Sequence, residues 1–190
     1  YRTVRQVTSN LKDEILTRYP KVMRRVGGYN LDSFVQDQPF NLANLVTGSE
    51  GTLAFVLEVT LRLHTVPEHR ILALAHFDTM HKALESVQHI NRHNPSAVEI
   101  MDDVLFELGF NNPTLAPLLK WVNDKPAAVM MVEFDGTSKD EINQDLNAFT
   151  SDPEIQCLNY HIHIARTTAE QAEILEFRRA GLGTYATIKG

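Results

Sequence analysis

Residues 53–63 read Leu-Ala-Phe-Val-Leu-Glu-Val-Thr-Leu-Arg-Leu, and every odd position in that stretch is apolar. Most even positions are small or polar (Ala54, Glu58, Thr60, Arg62). Period-two alternation of this length predicts a strand with one face on a core. The residues ahead of it are Gly48-Ser49-Glu50-Gly51-Thr52. Two glycines bracketing Ser49-Glu50 let the backbone take φ > 0 and leave room for something outside to approach. Such a turn is ordinary hairpin chemistry, or else a set of backbone N–H groups offered to an anionic ligand. An acidic residue inside it, Glu50, serves either as a turn-capping carboxylate or as a ligand contact.

Elsewhere the chain reads as alternating helices and strands. Val4, Val7, Leu11 and Ile15 predict an amphipathic helix ended before Pro20, and residues 41–44 a short helix or turn. Val66-Pro67-Glu68-His69-Arg70 marks the best boundary, dividing residues 1–67 from 68–190. Beyond it, residues 71–77 predict a strand. Asp78 or Thr79 then caps a helix with Met80, Ala83, Leu84, Val87 and Ile90 inward. Residues 97–101 predict a strand, although Ser96 and Glu99 have capping-box spacing. A helix from Asp102 or Asp103 ends at Gly109, and a short helix follows around Leu118. Residues 127–134 are nearly all apolar, as in a central strand, closed by Asp135-Gly136. Ser138 with Glu141 opens a helix carrying Ile142, Leu146 and Phe149. Residues 155–165 alternate as a strand, and Thr167 with Glu170 opens a final helix to about Ala180. The class is α+β. Two β-α-β units of this order make a ferredoxin-like antiparallel sheet with helices on one face.

A net charge of -6 argues against a nucleic-acid or anionic-membrane footprint. Lys21, Arg24 and Arg25 read as a solvated loop face. One cysteine, Cys157, forms no intrachain disulfide or thiolate metal cluster. No apolar run is long enough to span a bilayer, and no signal peptide is visible. The chain runs from Tyr1 to Gly190 and reads as an internal piece of a longer protein.

Several residues carry candidate chemistry. Adjacent Arg178 and Arg179 near a helix end either complement its dipole or clamp a carboxylate. His161 and His163, two apart, share a strand face, where they are half-exposed residues more readily than zinc ligands. Glu99, Asp102 and Asp103 form an acidic cluster, most simply caps for the helix that follows. The other histidines, Trp121 and Met130-Met131 read as structural. No nucleophile elbow, P-loop, dinucleotide fingerprint or metalloprotease motif occurs.

Taken together, Arg24-Arg25-Val26-Gly27-Gly28-Tyr29-Asn30-Leu31, Gly48-Ser49-Glu50-Gly51-Thr52-Leu53, Glu58-Val59-Thr60-Leu61-Arg62-Leu63 and Arg179-Ala180-Gly181-Leu182-Gly183 resemble one family. It is that of the FAD-linked oxidases and dehydrogenases of D-2-hydroxy acids, similar in fold to vanillyl-alcohol oxidase. The form most similar is the large bacterial one, of the D-2-hydroxyglutarate dehydrogenase type, that adds an iron–sulfur region. The resemblance implies that residues 1–67 end an FAD-binding domain and that 68–190 form most of a ferredoxin-like substrate-binding cap. It implies FAD contact at Gly48, Ser49, Glu50, Gly51, Thr52, Leu53 and Ala54, with Ala54 replacing a more usual glycine. It also implies that Arg178 holds the substrate carboxylate, although the family's tryptophan is not reproduced by Glu176 or Phe177.

The implied reaction oxidises a D-2-hydroxy acid (lactate, glycolate or 2-hydroxyglutarate class) to the 2-oxo acid, with hydride passing to FAD. The catalytic base and the electron acceptor are not specified by these residues, and any metal ligands are expected outside them. An iron–sulfur cluster would lie outside the chain, and the chain alone is expected to lack FAD. The resemblance allows a homodimer and a cytoplasmic location, with a peripheral inner-membrane location as the alternative. From a different class, a ferredoxin-like domain can also be a non-catalytic ligand-binding or oligomerisation module.

Overall fold

Arg70-Ile71-Leu72-Ala73-Leu74-Ala75-His76-Phe77 is apolar on both alternate sets of positions, and such a run needs cover on both sides. In the computed structural model, which describes residues 1–22, 27–37 and 39–185, it receives that cover. Strands β1 (His69–Phe77), β2 (Ala97–Asp102), β3 (Ala128–Gly136) and β4 (His161–Ala165) form one sheet in the order β2-β3-β1-β4. Every neighbouring pair is antiparallel, with Ala73 opposite Val132 and also opposite Ile164. This is the ferredoxin-like order expected from the alternation of elements.

The helices differ from expectation: they cover both faces. Ile71, Ala73, Ala75 and Phe77 pack with Met130, Val132 and Phe134 against α4 (Met80–Ile90), α6 (Lys139–Ser151) and α7 (Pro153–Leu158), through Ile90, Leu146, Phe149 and Ile155. Leu72 and Leu74 pack with Val129, Met131 and Met101 under α5 (Asp103–Phe110), a 3₁₀ turn (Ala116–Leu119) and α8 (Thr168–Tyr185). The reason is the segment between β2 and β3, which a minimal split βαβ lacks. Its α5 brings Leu105 and Phe106 onto the second face, and α8 adds Ile174 and Phe177. Fully burying each such side chain contributes about 1.5–3 kcal/mol.

Local signals set the element ends. Thr79 Oγ1 accepts from Lys82 N–H at the start of α4, and Ser138 Oγ accepts from Glu141 N–H at the start of α6. Along α4 the buried stripe is Ala83, Ser86, His89 and Ile90, whereas Met80 and Leu84 point outward. Residues 155–165 are not one strand. Asp152 Oδ1 accepts from Glu154 N–H, Pro153 stands at the first helical position, and α7 runs to Leu158 before β4 begins. The predicted N-terminal helix is also split, into α1 (Arg2–Asn10) and α2 (Lys12–Arg18). Thr8 Oγ1 donates back to Val4 O at 2.9 Å, a bond that competes with the helix ladder just ahead of the break at Leu11.

Contacts divide the chain into Tyr1–Leu63 and His64–Gly190, close to the boundary read at Pro67. The first unit holds α1, α2, a 3₁₀ turn (Leu31–Phe34) and α3 (Ala43–Val46), with Phe34 against Phe40 and Ile15 buried. Residues 53–63 form no ladder there, contrary to expectation. Phe55 is 99% exposed and Leu57 98%. An alternating strand needs a neighbour's backbone groups and a covering surface, and among the described residues neither lies beside it. The Arg24-Arg25-Val26 part of the sequence pattern, the basic cluster at those arginines, and Gln38 lie outside the described residues.

The second face is tightly set. A methyl group on Gly109 of α5 would stand 2.5 Å from Phe177 Cε2 and 3.0 Å from Leu119 Cδ1. Phe177 in turn stacks on Phe106 and meets Trp121 edge-on. Gly109→Ala is therefore expected to destabilise the protein by about 1–3 kcal/mol, read from denaturant melts.

His76 is fully buried and neutral. Asn123 N–H donates to its Nε2, so Nδ1 carries the proton and donates to Leu74 O at 2.9 Å. Burial, foremost, lowers its pKa from 6.5 to about 4. The unfolded chain thus binds more protons between those values, and stability is complete above pH 6.5 and falls as pH drops toward 4. Melts across that window should show a loss of at most about 3 kcal/mol from this residue, and a His76→Gln variant should lack that slope.

Candidate functional site

The two regions that the sequence singled out lie in different units. In the first, Gly48 (φ 79°), Glu50 (φ 51°) and Gly51 (φ 76°) all sit in the left-handed region. Three such residues within four positions make a tight bend that two glycines render affordable. Ser49 is buried, its N–H donating to Val46 O and its carbonyl accepting from Thr52 N–H, both at 3.0 Å, and from Thr52 Oγ1 at 2.6 Å. Asn30 Nδ2 donates to Thr47 O at 2.9 Å and to Asn44 O at 3.3 Å, and the Tyr29 hydroxyl meets Thr52 Oγ1 at 2.9 Å. The sequence pattern contained Tyr29 and Asn30, but their role as braces of this bend was not legible from it.

The outer side of the bend is open. A Cβ on Gly51 would meet nothing within 4 Å, and Glu50, Thr52, Leu53 and Ala54 are exposed. No bulky neighbour among the described residues seals it, so a planar group could lie against the main chain here. The residues present therefore fit the cofactor that the sequence resemblance implies.

In the second unit the acidic cluster separates into three roles. Asp102 Oδ1 accepts from Leu105 N–H at 3.0 Å and caps α5, while Asp103 Oδ1 accepts from Val104 N–H. Glu99 does something else. It lies on edge strand β2 opposite Met131, on the sheet face that α8 covers, and engages Arg178 of α8. Arg178 Nε donates to Glu99 Oε2, and Nη2 donates to Oε1 at 2.7 Å. This is a two-point, side-on pairing. It leaves Nη1 and the outer edge of Nη2 uncommitted to Glu99.

Arg178 and Arg179 diverge. Arg179 Nε donates to Leu175 O of its own helix, which runs on to Tyr185, so it lies along the middle of α8 and not at its end, while Arg178 reaches the sheet. Phe177, immediately before them, is buried. Glu133 of β3 faces the same side; burial, foremost, raises its carboxyl above the usual range, against the pull of Arg70 at 3.0 Å. His161 and His163 are half-buried on β4, as expected, with His163 Nε2 2.7 Å from Glu170 Oε1. Sequence reading missed the Arg178–Glu99 pair, because it joins residues 79 apart.

Residues 66–189 match the family of FAD linked oxidases, C-terminal domain. The chain belongs to this family. Across its whole length it is 25% identical to a D-2-hydroxyglutarate dehydrogenase of Pseudomonas putida and 26% identical to one of Escherichia coli. Over 53% of its length it is 36% identical to a probable mitochondrial D-lactate dehydrogenase of Danio rerio. It spans about a fifth of each of these relatives. The four-stranded antiparallel sheet with its helices agrees with an α+β domain of this family. No helix among the described residues is long and apolar enough to cross a membrane.

The bend's left-handed geometry is directly testable. Gly51→Ala, which meets no neighbour but must hold φ near 76°, should lower the stability of the first unit by about 1–2 kcal/mol through backbone strain alone. Limited proteolysis or hydrogen exchange localised to residues 44–54 would read it.

Proposed function

We propose that this chain is the junction and cap portion of a flavin-dependent dehydrogenase that oxidises a D-2-hydroxy acid to the 2-oxo acid. In this reading residues 1–67 close the FAD-binding domain and 68–190 form the substrate-binding cap. The family match and the relatives' names support the reaction class; the observation that carries the site is the side-on pairing of Arg178 with Glu99. A guanidinium gripped along Nε and Nη2 is held in one plane and still offers its Nη1–Nη2 edge. That edge matches a carboxylate of the 2-hydroxy acid class, and Arg178 is 45% exposed on its side chain, so the substrate can reach it.

The two roles of the chain's residues follow from their surroundings. Arg178 binds the carboxylate and fixes the orientation of the neighbouring carbinol carbon. Glu99 keeps the guanidinium from swinging into solvent. Gly48, Ser49, Glu50, Gly51, Thr52, Leu53 and Ala54 would hold FAD along the open bend, with Asn30, Tyr29 and Thr52 keeping its shape. The flavin, when bound, supplies the hydride acceptor. The exposed alternating face of Leu53, Phe55, Leu57, Val59, Leu61 and Leu63 is the part of the FAD-binding domain that other residues of the parent protein cover.

Substitution in the full-length enzyme tests this. Arg178→Ala removes a charge-assisted two-point contact, and kcat/KM for D-2-hydroxy acids should fall by roughly 30-fold or more. Glu99→Gln should raise KM by a smaller factor with kcat changed less, because the clamp is loosened and not removed. An unchanged KM in Arg178→Ala would show that the carboxylate binds elsewhere.

A further inference from the structure

β4 ends at Ala165 opposite Leu72, whereas β1 continues back to His69 with no strand on that side among the described residues. The vacated edge opens into a cleft of about 560 Å³. Its walls are the start of β1, the first turn of α6, and the stretch from Arg166 into the first turn of α8. The lining carries His69, Arg70, Lys139 and Arg166 against a single acid, Glu68. In a chain with 24 acidic and 18 basic residues that balance runs against composition.

The charges are also poorly neutralised. Arg166 Nη1 donates to Asn143 Oδ1 at 2.9 Å, so its partner is a neutral amide. Neither Arg166 nor Lys139 has an ion-pair partner among the described residues; of the two arginines only Arg70 does, sharing Glu133. The nearby helical acids do not line the cleft, and Glu170 is turned toward His163. Two helix N-termini begin beside it as well, α6 with 13 residues and α8 with 18, each adding positive partial charge, although the Glu141 and Glu170 N–H groups are taken by the capping oxygens of Ser138 and Thr167. One exposed cation contributes little to anion binding in salt. Several cations lining one volume, with the positive ends of two helices beside them, contribute together.

We propose that this cleft is a binding site for a small, doubly charged oxyanion of the phosphate class, separate from the carboxylate edge of Arg178. Arg166 and Lys139 are its principal cations, Arg166 presented by Asn143. His69 adds a donor at the strand start. The site does not depend on the reading of Arg178 and can be tested apart from it.

The test is titration of the full-length protein with inorganic phosphate and with sulfate, against chloride at equal ionic strength, followed by calorimetry and by the melting temperature. Phosphate and sulfate should bind saturably and raise the melting temperature where chloride does not. Lys139→Gln/Arg166→Gln should weaken binding at least tenfold, and Arg178→Ala should leave it unchanged. Both replaced side chains are exposed, and melting in chloride checks that the double variant remains folded. If the double variant does not fold, Arg166→Gln alone serves, with a loss of at least threefold expected. Equal affinity in wild type and variant, or an equal effect of chloride, would overturn the proposal. So would loss of binding in Arg178→Ala, which would place the anion at the other site.

Discussion

Burial of both faces of the β1–β3 pair is the constraint on which the second unit depends. Ala73, Leu74 and Ala75 of β1 and Val129 and Val132 of β3 have no exposed surface, so helices must lie above and below. Covering only one face would leave Leu72, Leu74, Val129 and Met131 in water, a loss of several kcal/mol at about 25 cal/mol per Å². α8 is one of the covering elements, and its Phe177 is locked among Phe106, Trp121 and Gly109. That lock fixes the rotation of the helix, and the next residue, Arg178, is thereby delivered over Glu99 on the edge strand. The Arg178–Glu99 contact is a by-product of core packing one residue away.

The first unit relies on a different principle. Its bend at residues 48–51 is shaped by backbone conformation and braced by Asn30, Tyr29 and Thr52, with little buried apolar area behind it. Such a bend can stay open on its outer side because it does not need that side for stability. The alternating residues after it keep their apolar face in solvent, which is an unusual state for Phe55 and Leu57 and is consistent with a surface completed by more of the parent protein.

Much of this was legible in the sequence because the signals were local. The caps at Thr79, Ser138 and Asp102, the apolar runs of β1 and β3, and the strand order all followed from residues a few positions apart. The misreadings were of two kinds. Asp152-Pro153-Glu154 carries its own helix start, but alternation through Leu158, Tyr160 and Ile162 masked it. Two-sided cover of the sheet was implied by β1 itself, whose even positions include Leu72 and Leu74 beside the apolar odd ones, yet the topology suggested helices on one face. Residues 53–63 show the limit of periodicity: it encodes which face is apolar, and pairing is supplied from elsewhere. Of the candidate site, the glycine bend and Arg178 could be read ahead of the structure. Glu99 as the partner of Arg178 could not, since nothing in a single sequence joins a β2 position to one on α8.

Anaerobic mixing of the full-length protein with D- and L-2-hydroxy acids, followed in the visible flavin band, tests the central claim most directly. The account predicts that purified protein carries flavin and that a D-2-hydroxy acid bleaches it, the L-enantiomer doing so far more slowly. A full-length protein without flavin, or a flavin that no D-2-hydroxy acid reduces, would contradict it.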